Sequence, residues 1–368
     1  MNTDPFRFTD TLGPAKILHL TERRTGLRAT VVVDNVAIGP AIGGVRIAPD
    51  VSTDECFGLA RAMTIKNAAA GLRHGGGKAV IAADPTMPPA DKERLMRAFA
   101  RSIADLVEYT PGPDMGSDET CMAWVYDEIG RAVGLPAALG GIPLDEIGAT
   151  GRGLAAAIDV AAAHIGMDLA GARIAVQGFG AVGTHVARFL AMRGCILVAA
   201  ADSGGTVLDP HGLDVERLVR ARATGSITAH SGGELADRDA IVGVECDIWI
   251  PAARPDVIHA GNVETVTARI VAQGANIPAT PEAEARLHER GVLVLPDVIV
   301  NAGGVICGAV EYAGGTEADA VTAIEDRIRA NTAAMLERCQ ADGVMPRVAA
   351  LEIASRRLDV AMGVRRFH

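Results

Sequence analysis

The sequence predicts an α/β protein of two domains, and three observations carry that prediction. The chain has 368 residues, 49% hydrophobic and 22% charged. That is too long for one ordinary core and apolar enough to fill two. Strand-like and helix-like segments alternate along most of the length, the pattern of a parallel sheet with helices on both faces. Near the middle, a glycine-rich turn stands between a short apolar strand and an amphipathic helix.

Taken in order, Arg28–Val33 is a β-branched run and reads as a strand. Ser52–Leu72 reads as a helix, with Ser52 and Glu55 spaced for a capping box. Ala79–Ala83 suits a short buried strand. Asp91–Val107 reads as a second helix, because Leu95, Phe99, Ile103 and Leu106 recur at helical spacing. Leu135–Gly151 is rich in glycine and proline and reads as a hinge. Beyond it, strands are expected at Ile174–Val176, Ile196–Ala200, Ile248–Ile250, Ile270–Ala272 and Leu293–Leu295. Helices are expected at Ala155–Ile165 and Ala181–Met192, and a helical tail from Ala318 to Val360. The expected domains are therefore 1–138 and 139–329, with the helices of 330–368 packing back on the first.

Composition excludes some partners. The formal net charge is -10 and the pI about 5.4, which argues against nucleic acid and anionic membrane as bulk partners. No stretch reaches the ~18 apolar residues of a membrane span. Met1–Asp10 lacks an apolar signal core, so a cytoplasmic protein is expected. Cys56, Cys121, Cys195, Cys246, Cys307 and Cys339 are scattered without a CxxC pair and read as free thiols. The nine histidines show no ligand spacing, so no metal site is expected.

Gly178-Phe179-Gly180-Ala181-Val182-Gly183 fits G-x-G-x-x-G, directly after the strand Arg173–Gln177. The next strand leads to Asp202, about 20 residues past the motif, which completes a dinucleotide fingerprint. In that reading Gly178 permits the tight turn and Gly180 lets a pyrophosphate approach. Gly183 packs helix on strand, and the helix N-terminus faces the phosphates. Asp202 would accept from ribose hydroxyls. Ser203-Gly204-Gly205-Thr206 follow it with no basic residue for a 2′-phosphate, so NAD is expected over NADP.

Three charged residues stand out. Lys66 falls three residues after Met63 and seven after Leu59, on what periodicity marks as an apolar helix face. A cation there needs an anionic partner, which a substrate carboxylate could be. Lys78 follows Gly75-Gly76-Gly77, where close backbone approach would strip its water and depress its pKa. Asp114 lies in Pro111-Gly112-Pro113-Asp114-Met115-Gly116, a rigid loop by composition; composition alone does not separate a turn-former from a catalytic acid there.

From about Pro40 to Tyr312 the sequence resembles the glutamate/leucine/phenylalanine/valine dehydrogenase family. The resemblance is carried by Gly39-Pro40-Ala41-Ile42-Gly43-Gly44-Val45-Arg46, Met63-Thr64-Ile65-Lys66-Asn67-Ala68, Gly75-Gly76-Gly77-Lys78 and Pro113-Asp114-Met115-Gly116. Ala149-Thr150-Gly151-Arg152-Gly153, Gly274-Ala275-Asn276, Pro296-Asp297 and Asn301-Ala302-Gly303-Gly304-Val305 extend it. It implies two α/β domains flanking a cleft, the first binding substrate and making the oligomer contacts, the second a Rossmann-type NAD domain. It implies that Lys66 binds the substrate α-carboxylate, that Lys78 polarises the carbonyl and activates water, and that Asp114 shuttles protons. Gly43 and Gly44 would line the substrate, Asn276 and Asn301 would orient nicotinamide and substrate, and Arg46, Thr150 and Ala252 would approach the cofactor. The implied reaction is NAD-dependent oxidative deamination of an L-amino acid to its 2-oxo acid and ammonium, in a homo-oligomer.

The sequence departs from the glutamate-specific pattern at two places. Those members carry Lys before the Gly-Gly pair and Ser seven residues after the Asn of NAGGV. Here these positions are Ile42 and Gly308. An apolar substrate such as leucine, valine, phenylalanine or tryptophan is therefore expected, because a buried side-chain carboxylate would lack partners. Asp118–Gly153 and Gly274–Val305 nonetheless read like the glutamate branch. The alternatives are a glutamate dehydrogenase with an unusual pocket, or a dinucleotide-binding protein without catalysis.

Overall fold

The computed structural model describes residues 4, 6–229 and 232–365. The chain forms two compact units: Met1–Pro143 with Val305–Ala320 and Glu352–His368, and Leu144–Gly304 with Val321–Leu351. These bounds differ from the 138/139 and 329/330 divisions expected from the sequence, because the first unit takes two stretches of the C-terminal third and the second unit takes the one between them.

The first unit is built on a five-stranded sheet of β1 (Lys16–Glu22), β2 (Leu27–Asn35), β3 (Ala41–Ala48), β4 (Gly75–Ala82) and β5 (Tyr109–Pro113), in the order β1-β2-β4-β3-β5. β1, β2 and β4 run antiparallel, whereas β3 runs parallel to both β4 and β5. Alternation along each strand sends side chains to two cores. Val31, Val33, Val45, Ile47, Ala79 and Ile81 meet Leu95, Phe99, Met122 and Val125 of α2 (Pro89–Ser102) and α3 (Glu119–Ile129). Val32 and Val80 meet Cys56 and Ala60 of α1 (Thr53–Ala69) on the opposite face. Ile42, Gly44, Arg46 and Lys78 have the parity of that α1 face.

The second unit carries seven strands: β6 (Arg173–Gln177), β7 (Ile196–Asp202), β8 (Gly205–Leu208), β9 (Glu234–Ala236), β10 (Ile248–Pro251), β11 (Ile270–Ala272) and β12 (Leu293–Leu295). Their order is β12-β11-β10-β6-β7-β8-β9. The first five are parallel, as expected, but β8 and β9 are antiparallel additions. Asp202 pairs with Gly205, so Ser203-Gly204 is a two-residue hairpin, a connection only antiparallel neighbours can use. The chain leaves β6 toward β7 on one side and resumes at β10 on the other. That reversal is the switch point where such sheets hold ligands. α4 (Ala149–His164), α5 (Ala181–Ala191), α6 (Val215–Ala223), α7 (Pro281–Glu289) and α8 (Asp297–Val300) belong to this unit. α9 (Gly303–Tyr312), α10 (Glu317–Asp342) and α11 (Pro346–Val364) follow, and the boundaries between units fall within them.

Several expectations need correction. α2 stops at Ser102 and not at Val107. Ile103 and Leu106 are buried, but in a turn whose carbonyls accept from the Arg131 guanidinium. The segment read as a hinge already contains the start of α4, at Ala149. Gly75-Gly76-Gly77 is the first half of β4 and not a loop. The capping box is half formed: Ser52 accepts from the Glu55 N–H, but the Glu55 carboxylate turns to Arg46. No helix among the described residues is long and apolar enough to cross a membrane, and no group of metal-holding side chains occurs among them. All six cysteines are free.

Candidate active site

β3, β4 and β5 bring three charged groups together in the first sheet, and α1 adds a fourth. Lys78 is buried in β4, and its Nζ lies 2.5 Å from Oδ2 of Asp114, the residue directly after β5. Arg46 of β3 meets the same oxygen through Nε at 3.1 Å. Its other arm reaches Glu55 Oε1 at 2.5 Å. The arrangement is thus an alternating row, Lys78–Asp114–Arg46–Glu55. Burial pushes the Asp114 carboxyl up, but Lys78, the Met115 N–H and Arg46 outweigh it and hold the group below the usual carboxylate range. At 2.5 Å a proton can pass between Nζ and the carboxylate.

Glycines make this proximity possible. A Cβ at Gly44 would lie 2.7 Å from Asp114 Cβ and 3.1 Å from Lys78 Nζ. The Tyr109 hydroxyl donates to Gly43 O at 2.8 Å and fixes that segment of β3. A Cβ at Gly76 would lie 2.1 Å from Thr64 N, so only glycine lets α1 settle on β4. There the Thr64 hydroxyl donates to Asp34 at 2.6 Å and Asn67 Nδ2 donates to Gly75 O at 2.7 Å.

Lys66 lies in the last turn of α1, half-buried. The buried stripe of α1 is Cys56, Ala60, Thr64 and Asn67, so the Leu59–Met63–Lys66 face expected to point inward is only partly covered. Ile42 is buried on β3, beside the catalytic candidates in strand parity. Gly308 sits on α9, where a Cβ would meet Val133 at 3.7 Å. Val133 and Glu55 gave no signal of a site in the sequence. One is an ordinary apolar residue between Ala132 and Gly134, and the other reads as a helix cap.

In the second unit, the glycine-rich turn joins β6 to α5. Gly178 has φ +89°, a left-handed value, and a Cβ there would lie 2.8 Å from the Ala252 carbonyl carbon. A Cβ at Gly183 would lie 2.0 Å from Gly178 O, so strand and helix touch backbone to backbone. Gly180 is different: nothing lies within 4 Å of its would-be Cβ. α5 begins just after it with no side-chain cap, between Phe179, which is buried, and the run Ala181-Val182-Gly183. Uncapped N–H groups beside open space make an anion seat. Farther along the sheet edge, Asn301 Nδ2 donates to Asn276 Oδ1 at 3.0 Å. Asn301 Oδ1 is buried without a hydrogen bond. An orphaned acceptor and an open anion seat on one switch point fit a dinucleotide with an amide head group. The Ala252 N–H donates to Gln177 O at 2.7 Å, and the Thr150 backbone crowds Gly303, so both also lie on this edge.

Asp202 ends β7, as expected, but its carboxylate is already engaged. Oδ1 accepts from Gly204 N and Ser226 Oγ, each at 2.8 Å, and Oδ2 accepts from Ile227 N at 2.9 Å. A ribose hydroxyl would add to these bonds and would find the carboxylate already oriented. Arg46, expected near the cofactor, is held in the first unit by Asp114 and Glu55.

The model of the family described as glutamate/leucine/phenylalanine/valine dehydrogenase matches residues 140–366, and that of its dimerisation domain matches 16–131. The chain is 38% identical over 318 residues to a glutamate dehydrogenase of Aeropyrum pernix, covering 81% of this chain and 76% of that one. It is 37% identical over 300 residues to an NADP(+)-dependent glutamate dehydrogenase of Pyrobaculum calidifontis, covering 76% and 71%. It is 36% identical over 301 residues to an NAD-specific glutamate dehydrogenase of Staphylococcus aureus, covering 78% and 72%. Among solved structures, the hetero-hexameric glutamate dehydrogenase of Thermus thermophilus in its Leu-bound form superposes with a TM-score of 0.85 at 32% identity, covering 96% of this chain and 91% of that one.

Proposed function

Because the chain belongs to the glutamate/leucine/phenylalanine/valine dehydrogenase family, we propose that it oxidatively deaminates an L-amino acid to the 2-oxo acid and ammonium, and runs the reverse amination. The observation that carries this reading is the buried Lys78 ammonium held 2.5 Å from Asp114 beside the side-chain-free Gly43-Gly44. NAD is the cofactor in this reading, held at Gly178, Gly180 and Gly183, with Asp202 toward the ribose and Asn276 and Asn301 toward the carboxamide. Bound NAD supplies the hydride acceptor. Loss of the hydride leaves an iminium at the substrate α-carbon. Once the Lys78 ammonium has passed its proton to Asp114, the neutral amine takes the proton of the water that attacks that carbon, and Asp114 moves protons to and from the nitrogen. Lys66 pairs with the α-carboxylate. Asp202 and the absence of a basic residue in the Ser203-Gly204 hairpin support NAD over NADP.

For the substrate side chain, the relatives weigh toward glutamate, since all three carry that name. The apolar side chain expected from the sequence stands as a second reading on one observation. Ile42 is buried on the strand face that carries Gly44 and Lys78, and neither it nor Gly308 offers a charge to a side-chain carboxylate. A homo-oligomer is part of the proposal and rests on the dimerisation-domain match. The test is purified protein with NAD and a panel of L-glutamate, leucine, valine, phenylalanine and tryptophan, read by NADH absorbance. NADH formation with glutamate supports the first side-chain reading, and formation with an apolar member supports the second. No NADH with any member removes the proposal.

A further inference from the structure

We infer that Val133 is the wall of the substrate side-chain subsite and sets the size of side chain that binds; the inference rests on the amino-acid dehydrogenase reading. Val133 is buried, and its N–H donates to Pro111 O at 2.9 Å, which fastens it to β5. A Cβ at Gly112 would lie 3.1 Å from Val133 Cγ2, and one at Gly308 would lie 3.7 Å from the same methyl. One isopropyl group therefore covers two glycines from two elements. Gly112 pairs across the sheet with Gly44, whose own Cβ would reach Lys78 Nζ at 3.1 Å. Val133 thus stands one strand over from the reacting pair, on the same face of the sheet. A side chain on a carbon held at Lys78 and Asp114 runs along that face past Gly44 and Gly112. With glycine at both, and at Gly308, Val133 closes that path, while Ile42 lies two residues before Gly44 on the same face.

Glu311 is the positioning residue for this wall. It lies three residues after Gly308 on α9. Its Oε1 accepts from Leu135 N at 3.0 Å and its Oε2 from Ile142 N at 3.1 Å. One carboxylate ties both ends of the loop that follows Val133 to the helix that carries Gly308. Glutamine at 311 has one acceptor oxygen for two N–H donors, so the loop would be held at one end only.

The experiment measures calorimetric binding of L-valine, L-leucine, L-phenylalanine and L-glutamate to the full chain saturated with NADH, for the unmutated protein, Val133→Ala, Val133→Ile and Glu311→Gln. Val133→Ala removes two methyls, so the phenylalanine-to-valine affinity ratio should rise about tenfold. Val133→Ile adds one methylene, so the ratio should fall, by roughly threefold to fivefold. Glu311→Gln should move the ratio in the same direction as Val133→Ala and by less, whereas a purely structural role would lower the unfolding temperature and leave the ratio alone. Ratios within about twofold of the unmutated protein in both Val133 variants would overturn the inference. So would failure of every amino acid to bind the unmutated protein. Binding that follows Val133 without NADH formation from NAD would remove the deamination reading and leave the wall in place.

Discussion

Gly44→Ala places a methyl group where the structure has no room for one. The new Cβ would lie 2.7 Å from Asp114 Cβ, 2.9 Å from Pro113 O and 3.1 Å from Lys78 Nζ. Carbon atoms rest about 3.5–4.0 Å apart, so one neighbour must retreat by roughly 1 Å. The Lys78 head can swing, being the far end of a flexible chain. Pro113 O is backbone and Asp114 Cβ follows it directly, so the end of β5 must give way. That movement takes the Asp114 carboxylate off Lys78. A misplacement of about 1 Å costs on the order of a hundredfold in rate, and overpacking costs ~1–3 kcal/mol of stability. NADH absorbance gives kcat, and fluorescence titration gives the NADH dissociation constant. The expected result is a loss of about a hundredfold in kcat with NADH binding changed by less than about twofold, because the glycine turn belongs to the other unit. A variant that keeps kcat within roughly threefold of the unmutated protein would refute the assignment of Gly44 to the reacting pair.

Three further expectations follow from the same site. Lys78→Ala should lower kcat by ~10²–10⁴ while NADH still binds, and near-normal turnover would remove Lys78 from the chemistry. Asp114 titrates below its ordinary value in the fold, so the stability it contributes is present above the unfolded pKa and is lost as pH falls through the folded one. Arg46→Met takes one cation from it and raises the folded value. The variant should lose ~1–3 kcal/mol in neutral buffer, and this deficit should shrink in acid; urea midpoints that show the same deficit at both pH values would sink the argument. Ile42→Lys combined with Gly308→Ser should raise kcat/KM for glutamate relative to leucine by at least about tenfold, and by more than either change alone. Serine fits at 308, where its Cβ would be in ordinary contact with Val133 at 3.7 Å. An unmoved ratio would show that these positions do not contact the substrate side chain.

The second sheet was legible because its parallel strands are buried on both faces and read as continuous apolar runs, such as Ile248–Ile250 and Ile270–Ala272. The glycine-rich turn was legible because it stands between an apolar strand and a helix, and Gly178 and Gly183 each answer a separate steric demand. β3 and β5 were not legible, since Gly43-Gly44 and Pro111-Gly112-Pro113 look like loop sequence. They are strands because β3 is paired by β4 on one side and β5 on the other, and their side-chain-free backbone then lets Lys78, Asp114 and Arg46 come close. Periodicity also misplaced Lys66, because α1 buries small and polar residues, Ala60, Thr64 and Asn67, against the glycines of β4. A hydrophobic stripe is a poor guide where helix and strand meet at backbone distance. Val133 and Glu311 were beyond reach for another reason: their partners lie about 170 residues away in the chain for Glu311, and on two elements at once for Val133.

The chain crosses between the two units at 143/144, 304/305, 320/321 and 351/352. A ribosome therefore releases Lys78 and Asp114 long before it releases Gly308 and Glu311. The first unit must wait, partly assembled, while the whole 144–304 stretch is made. Its loop 135–142 has no carboxylate to bind its amides until then. Neither unit can be cut out as a single stretch of gene, so a fragment ending near residue 143 would lack its own last segments and expose their docking surface. Swapping one unit for a homologue's would mean exchanging several pieces at once, and inheritance of the two units as one block follows from that topology.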